Sequence, residues 1–289
     1  MLEVSTNALL TNVSGKSLSL NASVTGMAGF NVATAPSVLD LAPGQTKSFT
    51  VQFTRTSAAV NAYTGGQLTW SGGGYSVRSP IVVRPVALAA PAEVASTGAA
   101  VAYDVKFGYD GPFTATARGL ILPAITAGSV ADDPTDSTCS LTSPNGQKVD
   151  VTVPAGMTYA RFALFDADVT AGSDIDLCVF NGTTLVGTSG SGTSAETVNL
   201  VNPAAATYTV VVQGWGVAGS SPFKLHTWLL SGADAGNMTV DAPGTATTGG
   251  TGTITVTPAA GLGTGKWLGS VVYGGTAGMP NPTIVSVTK

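Results

Sequence analysis

The sequence predicts an all-β protein built from tandem β-sandwich modules, and three observations lead to that fold class. First, charged residues make up only 10% of the 289 residues, whereas glycine contributes 37 and proline 16, unlike the composition of long helices. Second, apolar and polar residues alternate with a period of two in many short segments, as half-buried strands require. Third, turn-forming residues separate these segments about every ten residues, which is typical of sandwiches and barrels.

The alternating segments run along the whole chain. In 147–153, for example, Val149, Val151 and Val153 alternate with polar residues. Glycine and asparagine in the intervening turns supply positive φ angles, and proline presets the first turn residue. Clear strands of this kind are 48–53, 147–153 and 253–256, and clear turns are 42–45, 71–74, 143–146 and 181–182.

Two boundaries divide the chain into three predicted modules. The first lies where strand 79–85 runs into the alanine- and proline-rich connection 87–91, and the second lies near 231–234. An Ala-Pro-Gly triplet at 42–44 recurs at 242–244, and each copy precedes a similar series of strands, so the two outer modules are predicted to be related. The predicted modules are 1–87, 88–230 and 231–289, with 88–130 either completing the central module or pairing with the last one.

Charge and hydropathy exclude several classes of function. Twelve basic residues against sixteen acidic ones give a net charge of −4, so nucleic acid is not an expected partner. No apolar run approaches the roughly 20 residues of a membrane span. The chain does not open with the pattern of a signal peptide, yet lysine is scarce and the cysteine count is even. We therefore interpret it as a mature or excised piece of a secreted protein.

Motifs in the middle of the chain resemble a known family. The strand Asp-Ile-Asp-Leu-Cys-Val-Phe and the segment Pro-Ala-Ala-Ala-Thr-Tyr-Thr-Val-Val-Val resemble motifs of the bacterial pre-peptidase C-terminal domain, which is a jelly-roll-like sandwich. The sequence departs from the family at Cys178, where tyrosine is usual, and at Ala206, where glycine is usual. The segments that carry the resemblance are 153–158, 174–180, 181–187 and 201–212.

The flanking segments extend this resemblance. Residues 41–51 and 77–83 resemble the fibronectin type III-like domain that follows the catalytic domain of secreted bacterial subtilisin-like serine proteases. In this order, nearly the whole chain is similar to the C-terminal region of such a protease. The resemblance implies a fibronectin type III-like module, a jelly-roll-like central module and a second immunoglobulin- or fibronectin-like sandwich, preceded by a protease catalytic domain. It also implies a secreted, extracellular or cell-surface location in a bacterium.

The chain itself is not expected to be an enzyme, because a serine protease needs a nucleophile, a base and an orienting acid. The one histidine, His226, lies in the alternating strand 223–228, so we interpret it as a strand-surface residue with at most a binding role. Gly-Thr-Ser at 192–194 resembles the subtilase nucleophile motif but lacks the Met and Pro that follow it there, and we interpret it as a chance match. The glycine-rich segment 261–266 departs from the phosphate-loop pattern and is interpreted as a hairpin loop.

Four aspartates form the candidate metal site. Asp166 with Asp168, and Asp174 with Asp176, are each spaced to share one strand face, and a short turn joins the pairs. Converging carboxylates repel one another unless a cation compensates, and Ca²⁺ takes oxygen ligands of this kind. The sequence therefore predicts either a calcium site or solvated strand-face aspartates, and calcium is the one candidate cofactor.

The two cysteines and one tryptophan complete the candidate residues. Cys139 lies in a loop and Cys178 on an outward strand face, so a disulfide closing a loop of about 40 residues is predicted, with two free thiols as the alternative. Trp215 lies between glycines at a strand end, where it is expected to be exposed and to contact a polymer or protein chain. Trp70 and Trp267 are assigned to module cores.

These expectations combine into one functional hypothesis. The chain is predicted to be the noncatalytic C-terminal region of a secreted subtilisin-like protease, which binds a protein or polysaccharide substrate or a surface polymer, or assists folding and secretion. The alternative is a structural or adhesive cell-surface protein built from the same modules without a protease.

Overall fold

A computed structural model describes residues 3–289, and within that range the chain forms 25 β-strands and one short 3-10 helix. The strands pair into seven sheets. The all-β fold class and the tandem arrangement of sandwiches predicted from the sequence are confirmed.

The first module is a two-sheet sandwich. Its strands are β1 Glu3–Thr11, β2 Leu18–Gly26, β3 Phe30–Ala35, β4 Val38–Leu41, β5 Thr46–Arg55, β6 Thr64–Gly72 and β7 Tyr75–Val83. One sheet has the strand order β1-β5-β3 and the other β4-β2-β6-β7. Alternation along β5 buries Phe49, Val51 and Phe53. The rings of Phe49 and Trp70 pack in a T-shaped arrangement with centroids 5.0 Å apart, so Trp70 lies in the core as predicted.

The remaining strands follow in three groups. Five come directly after the first module: β8 Leu88–Ala89, β9 Glu93–Ser96, β10 Val101–Phe107, β11 Gly111–Pro112 and β12 Thr114–Ile121. Eight more, with a 3-10 helix at Asp166–Asp168, are β13 Ala124–Ala131, β14 Gln147–Val153, β15 Met157–Ala163, β16 Asp174–Asn181, β17 Thr184–Ser189, β18 Thr197–Val201, β19 Ala206–Gly216 and β20 Ser220–Ser231. The last five are β21 Met238–Asp241, β22 Thr245–Ala246, β23 Thr251–Pro258, β24 Lys266–Gly274 and β25 Thr283–Thr288.

The central module, β13 to β20, is a sandwich of two four-stranded sheets. Their strand orders are β13-β20-β15-β18 and β14-β19-β16-β17. Period-two alternation supplies apolar side chains from both sheets to one core, in which Phe162, Leu177, Val210 and Leu225 are fully buried. Burying this apolar surface stabilises the module.

The third sandwich, which we call the outer sandwich because the central module is inserted into it, combines β8 to β12 with β21 to β25. Its main sheets have the orders β21-β23-β10-β8 and β12-β24-β25-β9, and β11 pairs with β22. Of the two alternatives for residues 88–130, strand pairing therefore joins 88–121 to the last module and 124–131 to the central one. The segment 261–265 connects β23 to β24, which belong to different sheets, so its interpretation as a hairpin loop is wrong.

The central module is an insertion between β12 and β21 of the outer sandwich. The two connections run side by side, because the side chain of Asn237 pairs with the backbone of Leu120. The Leu120 N–H donates to Asn237 Oδ1 at 2.6 Å, and Asn237 Nδ2 donates to the Leu120 carbonyl at 2.9 Å. The chain thus leaves and re-enters the outer sandwich at neighbouring points.

The central module packs against the outer sandwich along an interface that we call the junction. Tyr159, Trp228 and Leu230 from the central module form one buried apolar cluster with Leu268 and Ile284 from the outer sandwich. The two modules therefore share a packed interface in addition to their covalent connections.

Candidate functional site

An open cavity of about 390 Å³ lies on the central module beside the disulfide bond. Strand β16 contributes Asp176, β17 contributes Thr188, and the end of β19 contributes Trp215. The complete lining of this Trp215 cavity is Thr138, Cys139, Asp176, Thr188, Gly190, Ser191 and Trp215. An indole, a carboxylate and three hydroxyl groups thus share one recess.

A β-bulge sets the position of Trp215. In the pairing of β16 with β19, Ile175 lies opposite Gly214 and the preceding Asp174 lies opposite Gly216, so Trp215 is the extra residue. A bulge turns its extra residue out of the regular alternation of a strand. Only glycine fits at position 214, because a Cβ there would lie 2.5 Å from a backbone carbonyl oxygen of β13. The side chain of Trp215 is 38% exposed as expected, and its role in binding stays a prediction.

The predicted disulfide is present and joins Cys139 to Cys178, with 6.1 Å between their Cα atoms. Cys178 lies on the strand face that points away from the sandwich core, as predicted, but it is fully buried there. Loop 132–146 covers that face of the sheet, and Leu141 packs there in a small apolar cluster with Phe180. The disulfide therefore fastens a covering loop over the sheet, and the same loop forms one wall of the Trp215 cavity.

Hydrogen bonds around Gln213 and Asp133 hold the same loop. Gln213 is fully buried; it accepts from Ser143 Oγ at 3.0 Å and donates to Asp133 Oδ2 at 2.6 Å. Asp133 Oδ1 also accepts from the Thr135 hydroxyl at 2.6 Å and from the Thr135 N–H at 2.9 Å. The hydrogen bonds from Thr135 keep the pKa of Asp133 below its ordinary value, so an ionised carboxylate anchors the loop.

Three carboxylates influence one another near the cavity, and they differ from the predicted set. Burial, followed by repulsion from Asp174 and Glu196, raises the pKa of Asp176 to about 6. Glu196 is held by hydrogen bonds from the Ser189 hydroxyl and, at 2.6 Å, from the Ser191 N–H. The sequence pattern does not indicate Glu196, because only the return of the chain between β17 and β18 brings this residue towards β16.

Asp168 belongs to a different cluster. Its carboxylate accepts from Lys224 Nζ at 2.8 Å and lies 2.9 Å from His226 Nε2. Burial opposes ionisation here, but the hydrogen bonds from Lys224 and His226 outweigh it and lower the pKa of Asp168. The interpretation of His226 as a strand-surface residue is wrong: it is 6% exposed, because it packs between the rings of Phe165 and Trp228.

The four aspartates predicted to bind calcium do not converge on one point. Asp168 is paired with basic side chains, while Asp166 is exposed and contributes only to the raised pKa of Asp174, for which burial is the main cause. Within residues 3–289, no three acidic, histidine or cysteine side chains are grouped so that they could hold a metal ion. Calcium binding at Asp166, Asp168, Asp174 and Asp176 stays a prediction without a formed ligand set.

The Gly-Thr-Ser segment does not lie in a nucleophile arrangement. Ser194 is fully buried and donates to the Ser173 carbonyl at 2.9 Å. His226 instead contacts Asp168, and its Nδ1 atom has no hydrogen-bond partner in the described part of the chain. This geometry agrees with the interpretation of the motif as a chance match.

The first sandwich is similar to a known family. A family model described as a fibronectin type-III domain matches residues 2–83, the segment that contains β1 to β7. This match supports the fibronectin type III-like fold of the first module and does not extend to the central module or the outer sandwich. No curated protein matches the chain.

Several solved structures are similar over long stretches of the chain. The CupB2 chaperone of Pseudomonas aeruginosa is 12% identical, with 76% of this chain and 91% of that chain covered and a TM-score of 0.26. The CsuC-CsuE chaperone-tip adhesion subunit complex of Acinetobacter baumannii is 9% identical, with 99% and 91% covered and a TM-score of 0.23. Tripeptidyl peptidase 2 is 9% identical, with 100% and 29% covered and a TM-score of 0.29. At such TM-scores none of them supports an inference about function.

The described part of the chain contains one short helix and one disulfide bond. In the part of the chain that the structure describes, no helix has the length and apolar character needed to cross a membrane. The disulfide between Cys139 and Cys178 is consistent with an extracellular location, because such bonds persist in oxidising compartments.

Proposed function

We propose that this chain is the noncatalytic C-terminal region of a secreted bacterial subtilisin-like protease, and that it binds a protein or polysaccharide substrate at the Trp215 cavity. The exposed indole of Trp215 carries the binding part of the proposal. It stands at an open recess rather than in a core, and exposed aromatic side chains of this kind supply large contact area at binding sites.

The polar groups around the indole suit a ligand rich in hydroxyl or amide groups. The Asp176 carboxylate accepts hydrogen bonds, and the hydroxyls of Thr138, Thr188 and Ser191 can both donate and accept. A sugar ring or a flat peptide group stacked on Trp215 would bring its own polar atoms within reach of these side chains. Both substrate classes fit this chemistry.

Contacts within the central module hold the Trp215 cavity in one shape in the absence of a ligand. The disulfide and the Gln213–Asp133 hydrogen bonds fix loop 132–146 over the sheet, and the close approach of Gly214 to β13 fixes the bulge at Trp215. A preorganised site loses less conformational entropy when it binds. Rigidity therefore supports a binding role for this recess.

The connection to a protease is supported by the order of sequence motifs, whereas the fibronectin type-III match over residues 2–83 supports only the fold of the first module. The coding sequence upstream of residue 1 tests it: a Gly-Thr-Ser-Met motif there, at the start of a helix, is expected. The isolated chain is expected to show no casein hydrolysis sensitive to a serine-directed inhibitor. Polymer binding combined with an upstream region that encodes no protease would favour the adhesive surface protein instead.

Retention on insoluble polymers tests the binding site directly. Wild-type chain is applied to immobilised casein, collagen, chitin and cellulose and compared with Trp215→Ala. The matched control is Tyr63→Ala, because Tyr63 is an aromatic residue that is 75% exposed on the first module.

We expect at least one polymer to retain the wild type and Tyr63→Ala, and Trp215→Ala to lose most of that retention. Circular dichroism spectra of the three proteins should agree, which separates loss of a contact from loss of the fold. Equal retention of all three proteins would contradict a role for Trp215, and no retention on any polymer would contradict the proposed binding function.

A further inference from the structure

A second recess lies at the junction, where the central module meets the outer sandwich. This junction cleft has a volume of about 210 Å³ and is lined from both modules. The central module contributes Arg161, Phe165 and Trp228, and the outer sandwich contributes Lys266 and Trp267. The cleft therefore exists only while the two modules are packed together.

Three aromatic rings form its apolar walls, and the N–H groups of the two indoles already donate hydrogen bonds within the protein. Trp228 Nε1 donates to the Lys266 carbonyl at 3.1 Å, and Trp267 Nε1 donates to the Gly263 carbonyl at 3.0 Å. Trp267 packs against the core of the outer sandwich as predicted, and the part of its side chain that stays exposed lines the cleft. The walls, completed by Phe165, offer ring surface rather than hydrogen bonds to a ligand.

One basic side chain of the cleft, that of Arg161, is already neutralised by an acidic one. Arg161 donates to both carboxylate oxygens of Glu93, at 3.0 and 2.5 Å, and its remaining contacts are to Asn199 Oδ1 at 2.8 Å and the Tyr159 hydroxyl at 3.1 Å. Burial opposes ionisation of Glu93, but the hydrogen bonds and charge of Arg161 outweigh it and lower the pKa of Glu93. This guanidinium is therefore not available to a ligand.

Lys266 is the charged group of the cleft that is left without a counter-ion. Its Nζ atom lies 4.1 Å from the centroid of the Phe165 ring, and it makes no hydrogen bond or ion pair to any other residue in 3–289. An ammonium group held against a ring face keeps its three N–H donors for an acceptor. The cleft thus has a local excess of positive charge in a chain whose net charge is −4.

We propose that the junction cleft binds a carboxylate carried by a flat apolar group. Lys266 supplies the counter-charge, and Phe165, Trp228 and Trp267 enclose the flat group. The volume suits one ring with its acid, so the ligand is a small aromatic acid or the C-terminal residue of a peptide ending in phenylalanine. The inference is independent of the Trp215 cavity, with which the cleft shares no lining residue.

The probe is 3-phenylpropionate, and the matched uncharged ligand is 3-phenylpropionamide. Binding to the full chain is followed by tryptophan fluorescence and by isothermal titration calorimetry. We expect the acid to bind about tenfold more tightly than the amide, because only the acid can pair with the ammonium group. A peptide ending in phenylalanine, with a free or an amidated C-terminus, shows which of the two sources is preferred.

Variants connect the binding to the cleft. Lys266→Met is expected to weaken the acid about tenfold and leave the amide unchanged, whereas Lys266→Arg retains binding. The matched control is Lys148→Met, an exposed lysine on β14, for which no change is expected. Melting curves of the variants show whether each protein is folded.

The outcomes separate this proposal from the proposed function. Trp215→Ala should leave binding of the acid intact, and Lys266→Met should leave polymer retention intact. Equal affinity for acid and amide, or unchanged binding of the acid in a folded Lys266→Met, would overturn the proposal. Absence of any titratable binding at millimolar acid would overturn it as well.

Discussion

The Trp215 cavity and the junction cleft are both recesses lined by indole rings, but they are held together by different means. A covalent bond and a hydrogen-bonded loop within one module hold the Trp215 cavity. Side-chain contacts between the central module and the outer sandwich hold the junction cleft. The first site therefore depends on local covalent closure, whereas the second depends on the packing of two modules.

Removing the disulfide should have the largest effect, and it should act on the Trp215 cavity alone. The bond spans 39 residues, so the double variant Cys139→Ser, Cys178→Ser should lower the free energy of unfolding by about 2–4 kcal/mol. Urea unfolding of variant and wild type measures this, with chemically reduced wild type as the control.

Binding data complete that comparison. The double variant should lose polymer retention, because loop 132–146 is no longer fixed, and should keep 3-phenylpropionate binding at the junction. Loss of polymer retention and of 3-phenylpropionate binding together would show that the two recesses are not independent.

Breaking the Arg161–Glu93 pair should instead affect the junction and leave the Trp215 cavity unchanged. The Arg161 side chain is 11% exposed and Glu93 is 36% exposed, so Arg161→Met leaves a partly buried carboxylate without its partner. We expect a loss of about 2 kcal/mol in stability and a smaller loss for Glu93→Gln, because glutamine can still accept a hydrogen bond. Hydrogen exchange should show faster exchange at the junction strands and unchanged exchange around Cys178.

A pH series on Asp176 should give a smaller effect, confined to the Trp215 cavity. Its pKa rises from an ordinary 3.8 to about 6 on folding, so the folded state holds this proton more tightly than the unfolded state does. Stability from this group is therefore present below pH 3.8 and is lost as the pH rises through 6. Asp176→Asn should stabilise the protein by about 1 kcal/mol at pH 8, after allowance for solvent screening.

That stabilisation should disappear at pH 3.5, which serves as the internal control. Melting temperatures of wild type and Asp176→Asn across this range provide the measurement. A constant difference at all pH values would show that the substitution acts through packing and not through charge.

Calcium should give the smallest effect, because Asp168 is already paired with Lys224 and His226. We expect the melting temperature in EDTA and in millimolar Ca²⁺ to differ by less than about 2 °C. A larger rise with Ca²⁺ that Asp176→Asn abolishes would confirm the calcium site predicted from the sequence.

Local features of the fold were open to prediction from the sequence. The alternating segment 147–153 coincides with β14, and 48–53 lies within β5, because period-two alternation is a property of neighbouring residues. The exposure of Trp215 between glycines and the pairing of two cysteines follow from equally local arguments.

Other features depend on contacts that alternation does not encode. A strand pattern distinguishes two faces but does not show what covers them, so it places Cys178 on an outward face and His226 at the surface and does not reveal that both are buried. Loop 132–146 buries the first, and Phe165 with Trp228 encloses the second. The sequence pattern does not indicate Lys266, because its place in the junction cleft depends on the central module packing against its strand.

The parallel pairing of β9 with β25 has a mechanical consequence. Ile284 lies opposite Glu93 and Val287 opposite Ser96, so tension between the two ends of the chain would load this pair in shear, with its evenly spaced hydrogen bonds sharing the force. The inserted module, whose two connections meet at Leu120 and Asn237, lies outside the loaded path. Tension between the chain ends would thus act on the outer sandwich, while the inserted module and its Trp215 cavity keep their shape.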